Sequence, residues 1–451
     1  MFLKPEEFIV ALEKADVNCS NTVDFEESLK YDGTDKTLEL TFDGDKDKVK
    51  KEIYLFLKEK TGKIPPWGII TGIRPVKLFG EIVDKIGIEE AENAFRDKYC
   101  VSQEKTQLAS SIYQYQQSEI GKNERNAVGV YIGIPFCPTR CLYCSFTSNQ
   151  VKDSEMEKYV EALIHEIEQS AEYMRKNNIY AETIYIGGGT PTTLSVNLLE
   201  KLLKVVNSEL VTEQLREFTV EAGRPDTITE GKLGVIKESG AERISINPQT
   251  MKDETLRIIG RDHTSENILN AFDIAKKVEI PSVNCDLIAG LPGETLDDFK
   301  DSLNTMLELE PENITVHTLA VKRSSRLKDA DKDYHYKHGE IAAAMLNYSY
   351  EILDEKGYKP YYLYRQKHMA GAGENVGFCL PRHEGIYNAR IMDEHQSILA
   401  FGAGGISKVY YPEEDRLERV PNVSNYSIYI ERVDEMIERK RLNFFEEVNK
   451  C

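Results

Sequence analysis

The chain predicts an α/β fold, a partial (β/α)6 parallel barrel, and three observations carry that expectation. Between Tyr131 and about Leu319, short β-rich runs alternate with amphipathic helical stretches, the pattern of strand–helix–strand crossovers. Polar residues and a run of glycines fall where those strands end, the rim at which parallel barrels gather their chemistry. A cysteine-rich loop, Cys137-Pro138-Thr139-Arg140-Cys141-Leu142-Tyr143-Cys144, directly follows the first strand of the series.

The elements follow in order. Residues 1–125 read as an N-terminal α+β accessory module, with a strand at Thr37–Phe42, a helix at Lys48–Lys60, and the turn-rich stretches Ile64–Gly68 and Thr71–Pro75. It is expected to cover the barrel mouth or meet a partner, and Lys122–Asn126 is the expected linker. Within 126–325, the barrel unit, strands are expected at Val128–Ile134, Thr183–Ile186, Glu217–Val220, Arg243–Ile246, Val283–Ile288 and Ile314–Thr318. Met156, Tyr159, Val160, Leu163, Ile164 and Ile167 recur at helical spacing between the first two, while Ser195 and Thr295 are placed to cap later helices. Residues 326–451 read as a C-terminal α+β extension covering the barrel and substrate site, with a helix at Ile341–Glu355, a strand at Tyr361–Tyr364 and two glycine-rich turns.

At 451 residues and a formal net charge of -19, with no Lys/Arg cluster along a helix face, the chain disfavours nucleic acid and anionic membranes as partners. No run approaches the ~20 apolar residues of a spanning helix, and Met1–Pro5 lacks a signal-peptide core, so a cytoplasmic protein without membrane insertion is expected. Cys19, Cys100, Cys285, Cys379 and Cys451 are scattered, as suits a reducing compartment, and Cys285 reads as a core thiol.

Three thiolates on one tight loop can hold three irons of a four-iron, four-sulfur (4Fe-4S) cluster and leave the fourth iron open. An open iron can bind a small molecule through nitrogen and oxygen, for which S-adenosylmethionine, a source of carbon radicals, is the expected guest. Zinc is the competing reading, but structural zinc takes four ligands in paired sets and no second pair exists. Buried structural thiols would not need this spacing.

Gly187-Gly188-Gly189-Thr190-Pro191-Thr192 follows the second strand, where backbone amides unobstructed by side chains can face a ligand, or simply turn the chain. Glu221, Gln249, Arg261 and Asp286 lie at or just beyond strand ends, where a charged amino acid and a ribose need donors and acceptors; caps and surface ion pairs are the plainer alternative. His317 is a proton donor, a substrate contact or a core histidine, and His165 falls on a polar helix face. His335, His338, His368, His383 and His395 form a loose C-terminal group that admits a haem or metal role.

Together Tyr131-Ile-Gly-Ile-Pro-Phe-Cys137, Gly187–Thr192, Glu221, Gln249, Gly260-Arg261-Asp262-His263 and Val283-Asn-Cys-Asp286-Leu-Ile-Ala-Gly-Leu-Pro292 resemble the radical S-adenosylmethionine superfamily. Within it they are most similar to the oxygen-independent coproporphyrinogen III dehydrogenases. The likeness covers about residues 128 to 320, with a weaker echo in Phe401–Ser407. It implies that Cys137, Cys141 and Cys144 ligate the cluster and that Tyr131, Gly188 and Glu221 contact the cluster-bound S-adenosyl-L-methionine. It places Gly189, Thr190, Gln249, Arg261, Asp286 and Ala320 around a second molecule of the same cofactor and Ile406 against adenine, with Tyr131, Glu221 and Arg261 closest to the chemistry. Lys322, Arg323 and Arg326 are the expected partners of substrate propionates.

The implied activity is oxidative decarboxylation of coproporphyrinogen III to protoporphyrinogen IX, with a tetrapyrrole substrate and a low-potential electron donor such as flavodoxin or ferredoxin. Three positions depart from the pattern. Phe146 stands where those dehydrogenases carry a fourth cysteine, Gly133 where they carry a histidine, and Tyr387-Asn388-Ala389-Arg390 only partly matches the His-Asn and Tyr-Trp pairs of related haem chaperones. A haem-binding chaperone and an anaerobic haem-degrading methyltransferase are the alternatives.

Overall fold

The computed structural model describes residues 26–30, 37–41, 45–145, 148–322, 325–327, 331, 334, 338–367 and 369–448. A two-stranded antiparallel sheet, β1 (Glu26–Lys30) and β2 (Thr37–Thr41), precedes the helix Lys46–Thr61. Asp45 caps that helix by accepting from the amides of Asp47 and Lys48, and Gly62, at φ 68°, ends it. The chain then runs through Pro65 and Pro66 into Trp67, its one tryptophan, and on to the helices Pro75–Ile86, Ile88–Asp97 and Gln103–Tyr115. Phe79 joins these helices, meeting Phe95 at 5.0 Å and Tyr113 at 5.9 Å, both edge to face.

The six strands expected between residues 128 and 318 are all present, as β3 (Ala127–Ile134), β4 (Tyr180–Gly188), β5 (Glu217–Glu221), β6 (Arg243–Ser245), β7 (Ser282–Ala289) and β8 (Asn313–Thr318). Each pairs in parallel with the next. Burial on both faces explains their continuous apolar runs. The intervening helix Asp153–Lys176 buries Met156, Tyr159, Val160, Leu163 and Ile167. Ser195 caps Val196–Leu210, and Thr295 forms a capping box with Asp298 at the start of Leu296–Glu308.

After the helix Gly339–Glu355 the chain completes both edges of this sheet. β9 (Lys359–Tyr364) and β10 (Asn375–Cys379) extend it antiparallel beyond β8. β11 (Ile398–Phe401) lies parallel to β3, and β12 (Ile406–Tyr411) and β13 (Arg416–Pro421) follow antiparallel. The result is an eleven-stranded sheet in the order β13-β12-β11-β3-β4-β5-β6-β7-β8-β10-β9, in which the two end strands do not meet. Without those additions, β3 and β8 would each present a row of unpaired backbone groups.

The helix Ile386–Asp393 lies across the inner face of the sheet. Arg390 holds it there with a two-pronged bond to Glu182 at 2.9 and 3.0 Å, and the Tyr387 amide donates to Glu217 at 3.1 Å. Glu182 and Glu217 begin or flank their strands at the N-terminal end, so this helix floors the space that opens toward the strands' C-terminal rim. The N-terminal region braces the other side. The Trp67 indole donates to Glu374 at 2.7 Å, Lys105 pairs with the same carboxylate, and Tyr350 donates to it at 2.7 Å.

Candidate active site

At the C-terminal rim of the parallel strands lies a cavity of about 380 Å³, within the range of small-molecule sites. Cys137, Cys141 and Cys144 all line it. Their loop is held by its backbone: the Cys137 amide donates to Asn149 O at 3.2 Å, Leu142 N to Ile259 O at 2.8 Å, and Leu327 N to Leu142 O at 3.0 Å. All three cysteines are free of disulfides. Burial pushes the Cys137 thiol up to about 11 despite the Thr190 hydroxyl beside it at 3.5 Å, a shift that a metal's charge would oppose. Among the described residues, no three His, Cys, Asp or Glu side chains are grouped as for a single metal ion. A cubane takes each thiolate on a different iron, so its three cysteines need not converge on a single point as they would for one metal ion.

The glycine run acts differently from the sequence expectation. The Gly189 and Thr190 amides are not open donors: they bond to the carbonyls of Ile134 and Phe136, both at 2.7 Å. A Cβ on Gly189 would stand 2.5 Å from Phe136 O, and one on Gly187 would stand 2.8 Å from Glu221 Oε2. Gly188, at φ 106°, brings the chain to within 3.0 Å of the Tyr131 hydroxyl on the same measure. These glycines therefore let β4 press against the root of the cysteine loop.

Glu221 ends β5 inside the cavity and accepts from the Tyr185 hydroxyl. Burial pushes its carboxyl up to about 7, against the pull of the Tyr185 bond. Asp286 lies opposite, 3.4 Å from His317 and bonded by Asn284 at 2.8 Å. Burial works to raise its carboxyl as well, but His317 and Asn284 win and hold it below its ordinary range. Gln249 adopts φ 70° and ties itself to β7 through bonds to Asp286 O at 2.9 Å and from Ile288 N at 3.0 Å. Such backbone is costly for a residue with a Cβ and is typical of functional rims. Arg261 is buried, donating to Asn247 O and to the Tyr143 hydroxyl at 3.3 Å.

Cys137, Cys141, Cys144, Gly188, Gly189, Thr190, Glu221, Gln249, Arg261, Asp286, Ala320, His317 and Lys322 thus line one cavity. Tyr131 sits just behind it, stacked with Tyr185 at 6.5 Å and Tyr387 at 6.4 Å. Ile406 begins β12, is 44% exposed and is not among the lining residues. Arg326 is bonded to Arg140 O on the outer side of the cysteine loop, and Arg323 and Phe146 lie outside the described residues.

The C-terminal histidines do not converge. His338 stacks on Tyr334 at 3.9 Å, His383 lies 3.4 Å from Ser282, His395 pairs with Asp393 at 2.8 Å, and His335 and His368 lie outside the described residues. Each described one is spent on a local partner.

Sequence reading missed part of the wall: Tyr185, Arg224, Asn247, Asn284, Thr315, Tyr362, Tyr364, Asn375 and Asn388. Strand alternation was the available signal for several, since Asn284 shares a face with Asp286 and Thr315 with His317. Three wall atoms, Ser148 Oγ, Arg261 Nε and Asn247 Oδ1, are buried without any protein partner. A donor and an acceptor orphaned beside three thiols are what a polar nucleotide with an amino-acid tail would satisfy, so the residues present fit that ligand.

The radical SAM superfamily model matches residues 131–306, from mid-β3 to the helix before β8. Over 459 residues the chain is 34% identical to the oxygen-independent coproporphyrinogen-III oxidase-like protein HemZ of Bacillus subtilis, covering 99% of this chain and 91% of that one. It is 37% identical to the heme chaperone HemW of Bacillus subtilis over 193 residues, 43% of this chain and 50% of that one. The solved coproporphyrinogen III oxidase HemN of Escherichia coli matches with a TM-score of 0.55 at 21% identity, over 69% of this chain and 70% of that one, which establishes a common fold. The chain belongs to the radical SAM superfamily and, within it, to the family of HemZ-like proteins, relatives of HemN and HemW. The cofactors of that superfamily are a 4Fe-4S cluster and S-adenosylmethionine.

Proposed function

We propose that this protein is a radical enzyme that oxidatively decarboxylates coproporphyrinogen III to protoporphyrinogen IX, drawing electrons from a low-potential donor such as ferredoxin or flavodoxin. The observation that carries the reading is the shared cavity, which gathers the cysteine trio, the carboxylates Glu221 and Asp286, and the cations Arg224, Arg261 and Lys322. The near full-length likeness to a protein named as oxygen-independent coproporphyrinogen-III oxidase-like supports the choice of substrate.

Cys137, Cys141 and Cys144 would hold the cluster, with Tyr131, Gly188 and Glu221 around the cofactor it binds. Gly189, Thr190, Gln249, Arg261, Asp286 and Ala320 would form the second nucleotide position. When bound, these groups supply one-electron chemistry that removes a hydrogen atom from a substrate carbon. The protein's part is to orient and to exclude water. Lys322, a cation weakened by burial, would receive a propionate carboxylate, whose charge restores what desolvation takes away. Tyr185 keeps Glu221 aimed at the cavity through its hydroxyl.

Anaerobic incubation of the reconstituted protein with reductant, S-adenosylmethionine and coproporphyrinogen III, read by mass spectrometry, tests the proposal. The expected product has lost two carbon dioxide molecules and gained two vinyl groups. Unchanged tetrapyrrole beside abundant 5′-deoxyadenosine would reject the substrate while keeping the radical chemistry. A haem-handling role is the second reading, supported by His317, 25% exposed in the cavity wall, and by the HemW likeness. Its signature is a haem absorbance change abolished by His317→Ala, without product formation.

A further inference from the structure

Arg224 has no part in the roles described so far, yet it is among the most constrained cations in the molecule. It follows β5 by three residues and lines the cavity with Cys137 and Cys141, while its side chain is only 4% exposed. Asp226 grips it two-fold, from Nε to Oδ1 and from Nη2 to Oδ2, both at 2.9 Å. Its remaining prong, Nη1, donates to Thr139 Oγ1 at 2.8 Å, and Thr139 sits between Cys137 and Cys141. The Thr139 hydroxyl in turn donates to Gly260 O at 3.0 Å. One guanidinium thereby ties the cysteine loop to the loops after β5 and β6.

The pair is closed off from behind. His263, its side chain fully buried, stands 3.4 Å from Asp226, and the Arg224 carbonyl accepts from the Thr227 hydroxyl at 2.7 Å. Burial lowers the His263 imidazole against the pull of Asp226; for Asp226, burial works to raise the carboxyl, but His263 and Arg224 win and hold it well below its ordinary range. The local charges are therefore a plus on Arg224, which lines the cavity beside Cys137 and Cys141, and a minus on Asp226.

We propose that Arg224, oriented by Asp226, is a positioning residue for the cluster site: it fixes the cysteine loop through Thr139 and biases the cluster's reduction potential with its charge. The inference rests on the cluster assignment and is independent of the tetrapyrrole substrate. Reduction adds a negative charge to the cluster, so a nearby cation favours the reduced form and a nearby anion disfavours it. The two members of the pair therefore act in opposite directions, which loss of packing alone does not produce.

The test is an anaerobic redox titration of the reconstituted full chain, followed by electron paramagnetic resonance, at about pH 8.5 so that histidine, ordinarily near 6.5, stays neutral. Arg224→Gln is expected to lower the midpoint potential and Asp226→Asn to raise it. Arg224→Lys, which keeps the charge but not the fork, is expected to stay near the parent potential while losing iron faster to a chelator. Shifts of the two charge variants in the same direction, or no shift in either at full iron content, overturn the proposal. Should Arg224→Gln hold no iron, Asp226→Asn decides alone: a raised potential supports the assignment, and an unchanged or lowered one ends it. These outcomes are read without substrate, so they stand apart from any failure of the decarboxylase reading.

Discussion

The two walls of the cavity are built on different principles. On the cysteine side the groups are charged and tied to the cysteine loop by side chains: Arg224 to the Thr139 hydroxyl and Arg261 to the Tyr143 hydroxyl, with Lys322 in the field of Cys144. On the side of β7 to β10, apart from the Asp286–His317 pair, the lining is amide, hydroxyl and phenol, from Asn284, Thr315, Tyr362, Tyr364, Gln366 and Asn375, joined by Asn388 of the helix Ile386–Asp393. All the cations among the described lining residues stand on the first wall. Charge is thus concentrated where a charged cofactor must be held, and neutral hydrogen bonding is left to shape whatever lies beyond it. The second wall is also carried from outside, by Trp67 and Lys105 against Glu374, next in chain to Asn375.

The sharpest break in this contrast is Cys141→Ser. It removes one corner of the cluster site, and the expected outcome is background iron content, no visible cluster absorbance and no S-adenosylmethionine cleavage, with the apo-protein's unfolding midpoint unchanged. Glu374→Gln strikes the other wall. It leaves Lys105 without its counter-charge in a buried setting, so a loss of about 3–5 kcal/mol is expected in denaturant unfolding, while folded material loads iron normally.

A smaller effect separates the walls by pH. Glu221 titrates near the ordinary 4.5 when unfolded and at about 7 when folded, so the folded state holds the proton more tightly between them. The stability this confers is complete below the unfolded value and lost as pH rises through about 7. Unfolding of the apo-protein from about pH 5 to 8 should show a decline on the order of 2 kcal/mol that Glu221→Gln flattens. An unchanged slope in that variant would assign the decline elsewhere. The smallest expected change is from Tyr364→Phe, which removes one neutral hydroxyl from the far wall; KM for substrate should rise by about tenfold or less, with iron content and unfolding midpoint unmoved.

The parallel centre was legible because strands buried on both faces are written as continuous apolar runs, and Ser195 and Thr295 announce their helices. The charged groups of the cavity were legible because the cysteine spacing, Glu221, Arg261 and Asp286 are unusual at strand ends. The neutral wall was not, since asparagine, threonine and tyrosine have many uses and only their alternation on a strand marks the inward face. Edge pairing was hidden for another reason. Nothing local in Ile398–Phe401 says that it lies beside Val130 rather than beyond β8, because that choice is made by the assembled sheet. The glycine run misled in detail: the Gly189 and Thr190 amides serve neighbouring backbone, and its missing side chains make room for Glu221 and Phe136.

Trp67 is the one indole in the chain, and it is buried with its N–H on Glu374. Its intrinsic fluorescence therefore reports on a single joint, where the N-terminal region meets the hairpin of β9 and β10. Emission colour and quenching by small solutes can follow that joint in real time, with no label attached.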